Sequence, residues 1–175
     1  MDTELATQAL GFSDIEGSVS TGQPWPAGLR LGDYRIERLV AVGGMGEVYR
    51  ATQLHPVQRI VAIKRLKTRQ LDLRQRAWFE LERQLLAQMQ HPAIAQLFDA
   101  GTLDDGTPFL VMEYIDGVPM TQFCRDRQLG LTQRLELFLQ LLEGVQHAHQ
   151  RGVIHRDLKP ANVLVTGKDR PLPKL

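Results

Sequence analysis

Cysteine is almost missing from this chain: Cys124 is the only one in 175 residues. A single thiol excludes an intramolecular disulfide framework and any multi-cysteine zinc site, and it suits a reducing compartment. A dominant charge is missing too. The 21 Lys and Arg against 20 Asp and Glu leave a net charge of +1, so there is no electrostatic case for nucleic acid as the main partner. No apolar run approaches the roughly 20 residues that span a bilayer. The start, Met1-Asp2-Thr3-Glu4-Leu5, lacks the basic and apolar regions of a signal peptide. The expectation is a cytoplasmic chain with no membrane segment. What is present is ordinary: 43% of residues are apolar, enough to bury a core and to make one domain, or one and part of another.

Residues 1–32 carry little periodicity and end in a Gly-, Ser- and Pro-rich stretch, which predicts a flexible leader. Trp25 stands out there as a residue that either docks on the domain or stays exposed. From Tyr34 onward, short β-like runs alternate with turn residues. They cover Tyr34–Val40, Glu47–Thr52, Gln58–Leu66, Ala93–Ala100 and Phe109–Ile115. The turn Asp104-Asp105-Gly106 predicts a hairpin between the last two. A helix is predicted over Leu73–Gln90, stopped by His91-Pro92. The remainder reads as helical. Thr121–Gln128 is short, and Thr132–Gln150 repeats Leu135, Phe138, Leu139, Leu142 and Val145 at helical spacing, with Thr132 as its N-cap. A β-rich half followed by an α-rich half predicts two lobes of an α+β fold.

Three constellations carry chemistry. The first is Val42-Gly43-Gly44-Met45-Gly46-Glu47-Val48, where glycines let backbone N–H groups approach an anion closely. The second is Val61-Ala62-Ile63-Lys64. Strand alternation puts Ile60, Ala62 and Lys64 on one face and Val61, Ile63 and Arg65 on the other. The 73–90 helix supplies a partner for the lysine. With Glu82 at zero and about 100° per residue, Trp78 falls near −40°, Leu85 near −60°, Leu86 near +40° and Met89 near −20°. Glu82 therefore sits within the apolar arc, where a carboxylate is costly unless paired, and Lys64 is the candidate. The third constellation is His155-Arg156-Asp157-Leu158-Lys159-Pro160-Ala161-Asn162. Asp157 and Lys159 can orient a hydroxyl nucleophile and balance phosphoryl charge, and Asn162 offers an oxygen to a hard cation. By contrast, His147 and His149 do not share a helix face, so a metal site there is not expected. Cys124 reads as a packing residue.

Together with Met112-Glu113-Tyr114, these motifs occur in an order and at separations that resemble a eukaryotic-type protein kinase, the bacterial serine/threonine kinases in particular. The resemblance runs from about Asp33 to Leu175. It implies a two-lobed kinase fold: a leader over 1–32, an ATP-binding N-lobe of five antiparallel strands and one helix over 33–112, and over 113–175 the hinge and the start of an α-helical C-lobe. By the same resemblance Gly43, Gly44 and Gly46, with Val42, would cover ATP phosphates, and Val48 and Ala62 would contact adenine. Lys64, held by Glu82, would bind the α- and β-phosphates. Met112 would be the gatekeeper, Glu113 to Ile115 the hinge, and Leu164 the floor under adenine. Asp157 would accept the substrate hydroxyl's proton, Lys159 would contact the γ-phosphate, and Asn162 would bind Mg²⁺. The implied reaction is γ-phosphoryl transfer from ATP to Ser or Thr hydroxyls of protein substrates.

Two departures from the family pattern matter. Ala41 stands where the first loop glycine is usual, and the expectation is a stiffer loop with, at most, lower affinity. The chain also stops at Pro173-Lys174-Leu175, where the family reaches Asp-Phe-Gly within a few residues. The expectation is therefore an N-terminal portion with a truncated C-lobe, inactive by itself, whose 132–150 helix exposes an apolar face. The alternative is a truncated, non-catalytic kinase-like module that binds nucleotide or a partner.

Overall fold

A computed structural model of the chain describes residues 23–44, 46–67, 89–103, 105–155, 158–167 and 169–175. The helix expected over 73–90 falls outside them up to position 88, and so does Asp157.

The five expected runs form strands β2 (Tyr34–Gly43), β3 (Gly46–Gln53), β4 (Arg59–Leu66), β5 (Leu97–Thr102) and β6 (Pro108–Glu113), and a sixth strand, β1 (Arg30–Leu31), precedes them in the stretch expected to be leader. They build one antiparallel sheet in the order β1-β2-β3-β4-β6-β5. Alternation along β4 holds. Ala62 joins a cluster with Ala41, Val48, Leu97, Leu110 and Met112, whereas Val61 and Ile63 join one with Ile36, Tyr49, Ala51 and Val111. The sheet is thus apolar on both faces, and each buried Ile or Val side chain is worth about 1.5–3 kcal/mol.

Residues 23–32, expected to belong to the leader, instead lie against the second face. The Gly28 N–H donates to Ile36 O at 2.8 Å and the Ile36 N–H to Leu29 O at 2.9 Å. Trp25, Leu29 and Leu31 pack on the Tyr49 cluster. Their apolar side chains cover a face that would otherwise meet water.

The fourth predicted strand starts late, at Leu97 rather than Ala93. The backbone before it is used elsewhere: the Ala95 N–H donates to Leu175 O at 2.7 Å, and the Leu175 N–H to Ala93 O at 2.9 Å. The β5–β6 turn forms as expected. The Gly106 N–H donates to Leu103 O at 2.9 Å, and Gly106 has φ +83°, a conformation suited to glycine.

Beyond β6 the chain is not purely helical. Helices α1 (Met120–Asp126) and α2 (Leu131–Gln150) are accompanied by β7 (Val118–Pro119), β8 (Leu164–Thr166) and β9 (Leu172–Lys174), which form a second, three-stranded antiparallel sheet. Strands of two or three residues are too short to show alternation. The N-cap of α2 is Gly130, not Thr132, and its N–H donates to Gln133 Oε1 at 3.0 Å. Leu137, Leu141, Gly144 and Ala148 form the covered side of α2. The more regular series Leu135, Phe138, Leu139 and Leu142 is exposed, centred about 150° around the helix from Leu137. Gly144 is needed where α2 crosses the segment before β5, since a Cβ there would lie 2.9 Å from the Ala93 Cβ.

Candidate functional site

The β2–β3 hairpin brings Gly43 opposite Gly46, with Gly44 in the turn between them. Gly46 has a specific reason to be glycine: a Cβ there would lie 2.1 Å from the Arg65 carbonyl oxygen of β4. This contact holds the end of the hairpin close to β4. Around Gly44 there is nothing within 4 Å of a Cβ position, so the turn is open on that side.

Register then assembles one face of the sheet. Val48 lies opposite Lys64 and Lys64 opposite Leu110. Ala62 lies opposite Met112, and Met112 opposite Leu97. Directly opposed residues in antiparallel strands share a face, so Val48, Ala62, Lys64, Leu110 and Met112 are brought together. Lys64 is 2% exposed, which is unusual for a lysine. Glu82, its expected partner, lies outside the described residues.

Val42, by contrast, is exposed, and it is Val40 that packs against the Ala41, Val48, Ala62 and Met112 cluster. The cause is a pair of bulges in β2, where Glu37 and Val40 are the extra residues. A bulge adds one residue and re-aims the side chains beyond it, which alternation in sequence does not reveal. Ala41 has a second role beside the one expected from the turn. It is fully buried in the same cluster, so its methyl is a core contact rather than only a constraint on the turn.

At the far end of β6, Glu113 is committed to two partners. Lys174 of β9 donates to its Oε1 at 2.5 Å, and the Glu113 N–H donates to Gln96 O at 2.8 Å. Tyr114 is pinned by Arg38 Nη2, which donates to its hydroxyl at 3.3 Å, and Arg50 stands over its ring, 5.4 Å from the centroid. Arg50 in turn pairs with the bulged Glu37. Ile115 is half-buried in the connection to β7. Arg38, Arg50 and Lys174 had no local signal in the sequence, because each meets its partner through sheet register or across the two sheets.

Lys159 and Asn162 come together in the 3₁₀ turn Pro160–Asn162, where the Asn162 N–H donates to Lys159 O at 2.9 Å. Asn162 is 1% exposed. The turn is anchored from behind: Val163 packs with Leu141 and Leu175, and its carbonyl accepts the Met120 N–H at 2.8 Å. Leu164 is half-buried on β8, opposite Pro119 and Lys174. Among the described residues no three His, Cys, Asp or Glu side chains gather as a metal site, and Cys124 is buried with Phe123, Leu137 and Val165.

Tyr49, Tyr34 and His147 have altered proton affinity. Burial, with the bond donated to Glu47, pushes the Tyr49 phenol up to about 12. Burial and the bond to Asp99 Oδ2 (2.9 Å) do the same for Tyr34. Burial lowers His147, helped by Arg151 and by His91, whose ring centroid is 5.0 Å away.

Residues 34–175 match the family described as the protein kinase domain. The chain is 38% identical over 134 residues to the serine/threonine-protein kinase pkn3 of Myxococcus xanthus, covering 75% of this chain and 24% of that protein. It is 37% identical over 141 residues to PknA of Mycobacterium tuberculosis, covering 77% and 32%. Among solved structures, the Mycobacterium tuberculosis PknI kinase domain superposes with a TM-score of 0.71 at 32% identity, over 86% of this chain and 62% of that one. The chain thus spans a third or less of these two relatives and under two thirds of that solved domain. With its antiparallel sheet, glycine-rich hairpin and buried Lys64 in register with Val48 and Leu110, the chain belongs to the protein kinase family.

Proposed function

We propose that the protein transfers the γ-phosphoryl group of MgATP to serine or threonine hydroxyls of protein substrates. The carrying observation is the buried Lys64 on the face formed by Val48, Ala62 and Met112, beside a glycine hairpin whose turn is open around Gly44. A buried ammonium and the backbone N–H groups of an open glycine turn suit a polyphosphate, and the buried amide oxygen of Asn162 suits a hard cation. MgATP supplies the phosphoryl group, and the cation offsets the charge on its oxygens.

The chain's own residues position and neutralise. Gly43, Gly44 and Gly46 present backbone N–H groups to the phosphates, and Lys64 places a positive charge on them from a dry site, where it acts more strongly than in water. Val40, Val48, Ala62 and Met112 offer an apolar slot to the base, and the backbone of Glu113 to Ile115 lies at its edge. Lys159 would offset charge on the transferring group, Asn162 would hold the cation, and Asp157 would accept the proton of the attacking hydroxyl. Such catalysis is chiefly orientation and charge stabilisation. Replacing Asp157 by Asn should abolish transfer to a protein substrate by at least about a hundredfold while leaving MgATP affinity intact. Transfer surviving in Asp157→Asn would remove Asp157 from this role.

A further inference from the structure

On the face of the sheet opposite Lys64, Trp25 is held by several contacts at once. Its ring stacks on Tyr49 with centroids 4.8 Å apart. Its backbone N–H donates to the Tyr49 hydroxyl at 3.0 Å. The Arg65 guanidinium lies 5.1 Å from its ring, and Arg65 Nη1 donates to Gln23 O at 3.3 Å. Tyr49 passes its proton bond on to Glu47, and Glu47 pairs with Arg65 at 3.4 Å. Trp25, Tyr49, Glu47 and Arg65 therefore form a closed ring of contacts that ties residues 23–25 to both β3 and β4.

The chain positions of these residues matter. Glu47 lies between Gly46 and Val48, and Arg65 follows Lys64. Glu47 and Arg65 are also directly paired in the β3–β4 register. The Arg65 carbonyl is the group that Gly46 approaches so closely that no Cβ fits. Fixing Glu47 and Arg65 on the rear face thus fixes the backbone that presents Gly46, Val48 and Lys64 on the front.

We infer that Trp25 is a positioning residue for the glycine-rich hairpin, acting from the opposite face of the sheet through Tyr49, Glu47 and Arg65. Its consequence for ligand affinity rests on the reading that this hairpin covers nucleotide phosphates. Its consequence for hairpin order does not. Docking of the segment before the sheet is then coupled to the site, so a change that lifts Trp25 off Tyr49 loosens the hairpin without touching it.

Amide hydrogen exchange on the protein, compared with Trp25→Ala, Trp25→Phe and Arg65→Gln, tests this. In Trp25→Ala the amides of Gly46–Tyr49 and Lys64–Leu66 should exchange about tenfold faster, while those of α1 and the β7–β9 sheet stay unchanged. Trp25→Phe should restore most of the protection, and Arg65→Gln should reproduce part of the loss. In the same samples MgATP affinity should fall about fivefold with Trp25→Ala and recover with Trp25→Phe. Unchanged exchange at Gly46–Tyr49 in Trp25→Ala, or an equal rise over α1 and the small sheet, would overturn the inference. Faster exchange confined to the hairpin, in a protein that binds no MgATP even unsubstituted, would support the positioning role and remove the nucleotide reading instead.

Discussion

The two faces of the large sheet are both buried and built differently. The rear face carries Ile36, Tyr49, Val61, Ile63 and Val111 and is closed by the chain's own Trp25, Leu29 and Leu31. The front face carries Ala41, Val48 and Ala62 with Met112, and in their midst the charged Lys64. Large, stiff side chains on one side interlock and give stability. On the other, Leu66, Leu97, Leu110 and Met112 pack beside the shorter Ala41, Val48 and Ala62, and a buried ammonium lies in register with them. A polar group placed in an apolar face costs free energy, and such a cost is expected at a site of function rather than in a structural core.

That difference predicts opposite responses to neighbouring substitutions. Ile63→Ala should lower unfolding free energy by about 2–5 kcal/mol, read from denaturant midpoints, and weaken MgATP binding of the folded protein by no more than the roughly fivefold expected of Trp25→Ala. Ala62→Ile, one residue away, should cost only about 1–3 kcal/mol from overpacking but should weaken MgATP binding severely, read by calorimetry. If both substitutions changed stability and affinity in parallel, the division of labour between the faces would be wrong.

The same contrast recurs on α2. Its covered side meets the segment before β5, where His147 faces His91 and Arg151. Because folding lowers the His147 pKa, the unfolded chain takes up the proton first as pH falls below about 6.5. Stability is therefore full above that pH and declines below it. His147→Phe should flatten that part of the pH profile, measured by thermal melts between pH 7.5 and 5.5 (roughly one unit either side of the free-histidine value). The other side of α2 carries Leu139, 60% exposed. Leu139→Gln should shift stability by no more than about 0.5 kcal/mol, the smallest of these effects, and should reduce self-association by shrinking an apolar patch.

Some of this was legible in sequence for physical reasons. The strict alternation of β4 announces its two faces, and Asp105-Gly106 announces its turn. The glycines of the hairpin and the dense polar run after α2 mark chemistry because neither is easily explained by packing. What stayed hidden depends on distant partners or on broken periodicity. The bulges at Glu37 and Val40 leave Val42 exposed and turn Val40 toward the Ala41, Val48 and Met112 cluster. Lys174 meets Glu113 across 61 residues. The apolar series along α2 marks its exposed side, because helical spacing reports that a face is apolar and not what covers it. Trp25 announced only a choice between docking and exposure, and its partners Tyr49 and Arg65 decide that choice.

The central claim is that the front face holds a nucleotide through Lys64. Calorimetric titration of MgATP into the protein and into Lys64→Met tests it most directly. Saturable one-to-one binding to the unsubstituted protein is expected, with affinity at least about tenfold weaker in Lys64→Met, a difference of about 1.4 kcal/mol. Equal affinity for the two folded proteins, or no binding to the unsubstituted one, would contradict it.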